Sequence, residues 1–308
     1  MKRSILKIFI FTICVILLSN SLKGQQYFKT TFPDTLIKKR LRTVLISESA
    51  FYISGLSYLQ FQWYKDHESV PFHFYNDNDG WLQMDKSSHV YFAYQENKIA
   101  YNTFRWSGLT NKKSILYAGL LSVLMQTPIE IFDGLYEGYG FSAGDIIANS
   151  AGTALFCLQQ AFLQEQIVKM KFSYSPSGYP KYHPYYLGKN EFSSFFHDYN
   201  AQTYWLSCNL KGIFPHSKIP EWLNFAFGYS ANGMLAEFSN PSYYRGNIIP
   251  HMERYRQYVF SIDLDLTKIK TKSKFLKSLF SVVNVLKVPA PALEYNRVNG
   301  FAFHPIYF

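Results

Sequence analysis

The sequence predicts an α+β protein, with an antiparallel helical bundle in residues 25–168 and a β-rich, aromatic region in residues 169–308. Two observations predict this fold class. Apolar residues recur at helical spacing before Lys169, and they alternate with polar residues one by one after it. Residues 1–24 have the form of a secretion signal, so they are set aside before any reasoning about the fold.

The predicted signal has a basic start at Lys2 and Arg3, followed by an unbroken apolar run over 8–18. Small and polar residues come next, and we place the cleavage after Gly24. The apolar run is shorter than the roughly 20 residues that a membrane-crossing helix needs. Cys14 lies inside that run without the small residues that would follow a lipid-attachment cysteine, so we expect ordinary export.

The composition of the exported chain narrows its partners. Removal of the signal lowers the formal net charge from +10 to +6, because four basic residues are lost with it. An exported chain with this scattered charge is not expected to bind nucleic acid. The excess indicates first a solvated basic surface and second a surface that meets an anionic membrane. The chain holds 25 Tyr and 28 Phe, and rings of this kind concentrate at membrane interfaces. We therefore expect the outer membrane or its lipids as a partner, or another envelope protein.

The predicted helices follow one another with a loop over 70–82. Asp34 and Asp85 are expected to cap the first two, and the helix over 113–126 is predicted to be a buried core helix because of its apolar centre. Thr127 and Ser142 are each followed three residues later by an acid, as at helix starts. The predicted helices are 35–66, 85–101, 113–126, one beginning at 127, and 142–166.

The β-rich region is predicted to form either an antiparallel sheet or a small outer-membrane barrel. Only five or six strands are expected after Lys169, whereas the smallest barrels have about eight. A short amphipathic helix over 275–286 interrupts them. The aromatic strand ending in Phe308 is typical of outer-membrane proteins. The clearest strand patterns are 203–213, 222–229, 257–266 and 301–308.

Acidic and amide residues recur within the apolar helical sequence of the first region. They lie in three motifs, D-K-S-S-H at 85–89, E-I-F-D-G at 130–134 and S-A-G-D-I-I-A-N-S-A-G at 142–152. Polar groups inside apolar helices cost free energy unless they are paired, so the motifs indicate either a hydrogen-bonded core or a site. The candidate binding residues are Asp85, Lys86, Glu130, Ser142, Asp145 and Asn149.

One interpretation of these motifs is chemical. A histidine with carboxylates from separate helices is a set that binds a divalent metal in a bundle core, or that seats a general base. His89 and Asp133 are the candidate catalytic residues. If the protein is a metal-dependent enzyme, the expected metal ligands are His89, Asp133 and Asp145.

The competing interpretation is structural. Glu130 and Asp145 stand where a capping box would place them, and His89 is expected to be a hydrogen-bonded core histidine. Capping does not account for Asp133, and Asn149 lies within a helix, where Asn is a poor helix former. These two residues therefore point most strongly to function.

The ordered motifs D-K-x-x-H, E-x-x-D-G and S-x-x-D-x-x-x-N-x-x-G resemble the YfiM-like family of bacterial envelope proteins, a domain of unknown function described as a predicted periplasmic lipoprotein. The resemblance covers about residues 80–165, and a more distant likeness is to VanZ-like membrane proteins. Residues 200–308 look like the C-terminal extension of longer members from Bacteroidetes-type bacteria. The resemblance implies an envelope location and a common site.

Two functions follow from these observations. The first is an envelope protein, associated with the outer membrane, that has a structural role or binds a lipid or a partner. The second is a metal-dependent hydrolase or transferase acting on a lipid-linked or cell-wall substrate. Motifs of serine hydrolases, zinc proteases and phosphate-binding loops do not occur in the sequence. The sequence names no cofactor, and whether the protein is an enzyme stays open.

Overall fold

The computed structural model describes residues 32–33, 35–65 and 67–308. The predicted signal over 1–24 and the predicted cap Asp34 lie outside the described residues. Within them the α+β class is confirmed, because eight helices accompany a six-stranded antiparallel sheet in the C-terminal part.

The helices run along the chain in the predicted order. The first continues into a π-helical turn at Leu59–Trp63. Their bounds are α1 Lys38–Tyr58, α2 Met84–Trp106, α3 Asn111–Asp133, α4 Ala143–Phe162, α5 Pro184–Leu187, α6 Glu191–His197, α7 Leu210–Ile213 and α8 Lys274–Val283. The strands are β1 Val168–Tyr174, β2 Gln202–Asn209, β3 Leu223–Asn232, β4 Tyr243–Tyr244, β5 Asn247–Ile248, β6 Tyr255–Leu264, β7 Ala290–Asn296 and β8 Gly300–Tyr307.

The predicted helix boundary at Thr127 is wrong, because α3 continues through Pro128 to Asp133. A proline inside a helix leaves the carbonyl four residues earlier without its N–H partner. Here that carbonyl belongs to Leu124, and it accepts a hydrogen bond of 3.1 Å from Tyr52 Oη of α1. The neighbouring helix thus satisfies the group that Pro128 frees, and the helix does not break.

The prediction that this apolar helix is a buried core helix is also wrong. Its buried side chains include Ser114, Ala118 and Ser122, whereas Leu120 and Leu124 are exposed. By length and composition α3 could cross a membrane, with a mean hydropathy of 1.5, yet only 17% of its most apolar 18-residue window is buried. A core helix of similar apolarity would be mostly buried, so the apolar side of α3 faces outwards.

Helices α2, α3 and α4 contact one another through small and polar residues. Asn97 Nδ2 donates to Thr153 Oγ1 at 3.1 Å, and Thr153 Oγ1 donates to Ser122 Oγ at 3.2 Å. A Cβ added at Gly152 would lie 2.2 Å from the carbonyl oxygen of Val90, so only glycine permits this approach of α4 to α2. The tight contact brings the polar motifs of α2 and α4 together.

The sheet has the strand order β1-β2-β3-β6-β7-β8, and each neighbouring pair is antiparallel. It curls, because Tyr307 of β8 contacts Trp205 of β2 with ring centroids 5.6 Å apart. The edge of β1 that faces away from β2 pairs with the segment after α8. There Phe172 N donates to Val285 O, and Lys287 N donates to Phe172 O. Strands β1 and β8 do not pair, so the sheet is not a closed barrel within the part of the chain described.

Strand β7 was not among the clearest sequence patterns. It carries Pro291, which has no N–H for a ladder and argues against a strand. The register between β7 and β8 shifts between Ala290 and Ala292, so the proline falls at an irregularity of the ladder. The Pro291 carbonyl still accepts a hydrogen bond of 2.9 Å from Ser261 Oγ of β6.

One face of the sheet carries an aromatic row across all six strands. In register from β1 to β8 the row consists of Phe172, Tyr204, Tyr229, Tyr258, Tyr295 and Phe301. Its first members are buried against α2, where Tyr91 packs 5.8 Å from Phe172 and 5.7 Å from Tyr204 between ring centroids. Its last members are exposed, and Phe301 is 73% exposed. A single face therefore holds the helices at one end and is uncovered at the other.

The opposite, concave face carries buried charged and amide residues beside a small apolar cluster around Trp205. Lys171 Nζ and Asp263 Oδ2 form an ion pair of 2.7 Å, and neither side chain is exposed. Ser207 Oγ donates to the same carboxylate at 2.6 Å, and Asn224 Nδ2 donates to Ser207 Oγ at 2.8 Å. A buried charge needs such partners, and the curl of the sheet supplies them from several strands.

Candidate functional site

The polar motifs of the three helices meet at the N-terminal ends of α2 and α4 and the C-terminal end of α3. We call this group the acid–histidine cluster and define it as Asp77, Asp85, Lys86, His89, Glu130, Asp133, Asp145 and Asn149. The structure thus brings together all the candidate binding and catalytic residues, including Ser142, which caps α4 and contacts Asp77 and Lys86 at the edge of the cluster.

An unusual turn sets the start of α2. Trp81, Leu82 and Gln83 all have positive φ, a region that residues with side chains rarely adopt. Contacts from the β-rich region hold this turn, since Tyr229 Oη donates to Leu82 O and Arg256 Nη2 donates to Gln83 Oε1 at 2.5 Å. A residue with a side chain in this backbone conformation costs on the order of 1–3 kcal/mol, and the conformation persists only where the surrounding structure holds it. The sheet therefore positions the first turn of α2.

Asp85 is not the N-cap that the sequence predicts, because α2 begins one residue earlier and Gln83 precedes it. Because the Asp85 side chain does not cap the helix, its carboxylate is available to contact other residues of the cluster. Its Oδ1 accepts a hydrogen bond of 2.8 Å from Tyr199 Oη, and its Oδ2 lies 3.0 Å from Lys86 Nζ. Burial raises the pKa of Asp85, but the charges of His89 and Lys86 more than offset it and leave that pKa below its ordinary value.

Lys86 joins three carboxylates. Its Nζ lies 2.7 Å from Asp77 Oδ2, 3.0 Å from Asp85 Oδ2 and 2.7 Å from Asp145 Oδ1. Burial disfavours its charge, but Asp85 and Asp145 overcome that effect and raise the pKa of Lys86 above its ordinary value. Lys86 is therefore a fixed positive charge at one side of the cluster.

His89 lies at the centre of the cluster and is 23% exposed. Its Nδ1 is 3.1 Å from Asn149 Oδ1, which can accept a hydrogen bond from it. Its Nε2 is 3.7 Å from Asp85 Oδ1 and 3.5 Å from Asp145 Oδ1. With the proton of the neutral ring held on Nδ1, the lone pair of Nε2 faces two carboxylates.

Glu130 is the least satisfied member of the cluster. Only 1% of its side chain is exposed, and neither carboxylate oxygen has a hydrogen-bond partner among the residues described. Its Oε1 is 3.8 Å from His89 Nδ1, which is beyond hydrogen-bond distance. Burial, together with the charges of Asp145 and Asp133, raises the pKa of Glu130 to about 9. Because Glu130 lies near the end of a continuous helix, the capping explanation for it is wrong.

Asp145 and Ser142 open α4. Ser142 Oγ accepts a hydrogen bond of 3.1 Å from Asp145 N, which confirms Ser142 as an N-cap, and it donates to Asp77 Oδ1 at 2.6 Å. The Asp145 side chain instead points to Lys86 and His89. Burial first, and then the charge of Asp85, raise the pKa of Asp145 to about 7.

Asp133 lies at the edge of the cluster. Its Oδ1 accepts a hydrogen bond from Tyr64 Oη, and Tyr64 stacks on Tyr136 with ring centroids 4.4 Å apart. Burial raises the pKa of Asp133 to about 6, although the Tyr64 hydrogen bond and the charge of His89 act against it. The group of ligand atoms that could hold a metal ion consists of Asp85, His89 and Asp145, all within 4.8 Å of one another, and does not include Asp133.

Two contributors were missed by sequence reasoning. Asp77 lies in the Asn- and Asp-rich loop, where its composition indicates only a turn. Tyr199 comes from a short 3₁₀ turn 114 residues beyond Asp85, and no local pattern signals that contact. Asp77 could have been suspected from its charge, but Tyr199 could not.

The cluster contains far more acid than base. Five carboxylates face one lysine and one histidine, so negative charge is in excess even when the histidine is protonated. Groups in such an arrangement either hold protons or bind a cation. The cluster therefore has the chemistry of a binding site for a positively charged group.

Comparison with known proteins identifies the segment that carries the cluster. Residues 73–161 match the model of a family described as predicted periplasmic lipoprotein (DUF2279). No curated protein and no solved structure matches the chain. The matched segment holds every member of the acid–histidine cluster, and the family description supports an exported protein of the cell envelope. The match does not extend to Cys14, so the expectation of export without lipid attachment stays a prediction.

Proposed function

We propose that the protein is an outer-membrane-associated envelope protein of a Gram-negative bacterium that lies against lipid through its apolar exterior and binds a ligand at the acid–histidine cluster. The observation that carries this proposal is the direction of side chains in the sheet. Large apolar residues point outwards, whereas the charged and amide residues point into the concave face beside a small apolar cluster around Trp205, and this outward apolar surface is the reverse of a water-soluble sheet.

The apolar exterior is continuous over five strands. Phe227 of β3 faces Phe260 of β6 in register, and Phe260 faces Leu293 of β7. Phe225 and Phe227 both pack on Phe260, with ring centroids 5.4 and 5.1 Å apart. We call this surface the apolar belt, and its exposed members are Leu206, Phe225, Phe227, Tyr258, Phe260, Ile262, Leu293, Tyr295, Phe301, Phe303 and Ile306. A water-soluble monomer rarely exposes an apolar patch of this extent.

The helical part also has its large apolar residues on the outside. On α3 the small residues Ser114, Ala118 and Ser122 recur every four positions on the buried side, and larger apolar residues face outwards. Small residues at helix contacts and apolar residues towards the surroundings are typical of helices packed in lipid. The helical part and the sheet therefore expose the same kind of surface.

The choice of the outer membrane rests on the strands and on sequence resemblance. Antiparallel strands with alternating outward apolar and inward polar residues are the pattern of outer-membrane proteins. The motifs of the cluster resemble those of YfiM-like envelope proteins and, more distantly, VanZ-like membrane proteins. Both resemblances favour a protein that works at a membrane.

The state of the cluster favours a ligand-binding role over a purely structural one. A network that only holds helices in register should be sealed and fully paired. Here His89 is partly exposed, and the buried carboxylate of Glu130 has no hydrogen-bond partner among the residues described. The cluster therefore has unsatisfied capacity that a ligand would use.

Fractionation of cells that express the full chain tests this proposal. The wild-type protein should sediment with the outer membrane on a density gradient and resist extraction by alkaline carbonate. Replacement of Phe227 and Phe260 by Asp should move folded protein to the soluble fraction, because two charges would then lie in the apolar belt. Lys189→Asp, at an exposed position away from the belt, is the matched control and should leave the distribution unchanged.

Wild-type protein that stays soluble and monomeric in the periplasm without detergent would overturn the proposal. Sedimentation with the inner membrane would contradict the outer-membrane location. Circular dichroism of the purified double variant separates loss of membrane contact from loss of folding, since only a folded variant counts as support.

A further inference from the structure

We propose that the acid–histidine cluster is a binding site for one divalent metal ion of the zinc or manganese class, held by Asp85 Oδ1, His89 Nε2 and Asp145 Oδ1. This inference rests on the proposed ligand-binding role of the cluster and gives that ligand a chemical class. It does not depend on the contact with lipid.

The distances between the three donor atoms suit a metal ion. His89 Nε2 lies 3.7 Å from Asp85 Oδ1 and 3.5 Å from Asp145 Oδ1, and each of the three residues offers a ligand atom within 4.8 Å of those of the other two. Zinc binds such nitrogen and oxygen donors at about 2.0–2.2 Å, so neighbouring donors of a tetrahedral site lie roughly 3.3–3.6 Å apart. Small movements of the side chains would bring the three atoms to one ion.

The orientation of the histidine is already the one that a metal ligand needs. Asn149 Oδ1 lies 3.1 Å from His89 Nδ1 and holds the ring proton on that side. Metal-bound histidines almost always donate their second ring N–H in this way, which fixes both the tautomer and the ring plane. Tyr199 Oη similarly donates to Asp85 Oδ1 at 2.8 Å and orients that carboxylate. Asn149 and Tyr199 are therefore positioning residues in this proposal.

Glu130 gives an independent indication of a missing positive group. Its side chain is 99% buried, yet neither of its oxygens has a hydrogen-bond partner among the described residues. It lies beside the same histidine, since its Oε1 is 3.8 Å from His89 Nδ1, and the charges of Asp145, Asp133 and Asp85 act on it. A buried carboxyl group without a hydrogen-bond partner is costly, and a cation nearby would lower that cost.

Lys86 is the group that a metal ion would have to accommodate. Its Nζ lies 2.7 Å from Asp145 Oδ1, which is one of the proposed ligand atoms. It also contacts Asp77 Oδ2 and Asp85 Oδ2, and neither of these atoms is a proposed ligand. Lys86 can therefore keep two carboxylate partners while the metal ion takes Asp145 Oδ1.

The test is metal binding by the full chain, purified in detergent and stripped with a chelator. Zinc and manganese are titrated separately by calorimetry, and bound metal is counted by elemental analysis after gel filtration. We expect one ion per chain in the wild-type protein. His89→Gln and Asp145→Asn should each weaken binding by at least about 100-fold, because each removes a direct ligand and a second-shell loss alone costs 10- to 100-fold.

Glu137→Gln is the matched control, because it removes an exposed carboxylate that is not a member of the cluster. It should bind the metal within about 3-fold of the wild-type affinity, since only long-range charge is lost. Cobalt added in place of zinc should give a visible absorption spectrum that His89→Gln changes and Glu137→Gln does not. Circular dichroism and melting temperatures in detergent show which variants remain folded.

Folded wild-type protein that retains no zinc or manganese would overturn the proposal. Equal metal affinity in folded His89→Gln would also overturn it, and equal losses in Glu137→Gln and Asp145→Asn would overturn this ligand set. The membrane fractionation is read separately. Protein that binds no metal but sediments with the outer membrane refutes the metal site alone, whereas soluble protein that binds metal refutes the lipid contact alone.

Discussion

Glu96 lies between α2 and α3, where Gln126 Nε2 and Ser122 Oγ donate hydrogen bonds to its Oε2 at 2.8 and 3.3 Å. Burial raises its pKa from 4.5 to about 7, and those two hydrogen bonds only partly oppose the shift. Side chains of this kind occupy the helix contacts, where a water-soluble bundle would place large apolar residues. The protonation of single acids therefore influences the stability of the whole helical part.

The raised pKa of Glu96 predicts a loss of stability as pH rises. The folded state binds the proton more tightly than the unfolded state, so this contribution is complete below pH 4.5 and is lost as pH rises through 7. Glu96→Gln cannot ionise, so its free energy of unfolding relative to wild type should increase between pH 4.5 and 8, by up to about 3 kcal/mol.

Urea unfolding in detergent at several pH values measures this difference. Glu137→Gln, at an exposed position, is the control for removal of a carboxylate. A Glu96→Gln difference that is also constant from pH 4.5 to 8 would contradict the assignment. Comparison of the variant with wild type cancels the titration of the acid–histidine cluster, which changes in the same range.

The sequence predicts which site residues lie together only where they are close in the chain and share one helix. Asp85 and His89 share a helix face because they are four residues apart, and Asp145 follows an N-cap serine. Which acid would approach the histidine depended on how the helices cross, and spacing carries no information about that. Tyr199 approaches from the β-rich region, so no helical motif could have included it.

At the scale of elements, the contact between α2 and α4 depends on one small residue. Gly152 lies against the backbone of α2 one residue beyond His89, and it is three residues beyond Asn149 on its own helix. The close approach of these helices therefore sets the separation of the cluster residues that they carry. The sequence motif contains Gly152, but a glycine within a helix pattern indicates only that something approaches closely.

Gly152→Ala should destabilise the protein by about 1–3 kcal/mol, because the new Cβ would lie 2.2 Å from Val90 O and the helices would have to separate. Gly119→Ala on α3 is the matched control, since its Cβ would lie 3.5 Å from Cys157 Sγ, an ordinary contact. Alanine also favours helix over glycine, so the control should be neutral or slightly stabilising. Thermal unfolding in detergent compares the two, and equal effects would contradict the proposed tight contact.

Pro128 shows why the sequence does not predict where some helices begin and end. Its local signals, a preceding threonine and an acid three residues after that threonine, favour a helix start. The carbonyl that it frees is satisfied by Tyr52, which is 72 residues away from Leu124 in the chain. A tertiary contact thus replaced the missing helical hydrogen bond, and a local pattern cannot contain that partner.

Over the whole molecule, the period of the strands was predictable but the side that they bury was not. Alternation specifies that two faces differ, and it does not state which of them is covered. Here the concave face is covered by the curl of the sheet, and the opposite, apolar face is left uncovered beyond the helices. The same ambiguity applies to α3. An apolar helix is predicted to be a core helix only if its apolar side faces the protein interior, and the pattern does not state which way that side faces.

The amphipathic helix α8 should contact anionic lipid. Phe275, Leu279 and Val282 share one exposed face, and Lys274 and Lys277 are exposed at the start of the helix. A basic helix with an uncovered apolar side is typical of helices that lie in a membrane interface. Each lysine near an anionic surface contributes about 1 kcal/mol, so replacing both Lys274 and Lys277 by Gln should weaken association with anionic vesicles by roughly 30-fold.

Flotation of the full chain, diluted from detergent into vesicles with and without anionic lipid, measures this effect. The lysine variant should bind vesicles of zwitterionic lipid as the wild type does, because the apolar belt is unchanged. Replacement of Phe275 and Val282 by Ser should instead weaken binding to both kinds of vesicle, since it removes apolar contact rather than charge. Equal binding of the lysine variant and the wild type to anionic vesicles at low salt would exclude a charge-dependent contact at α8.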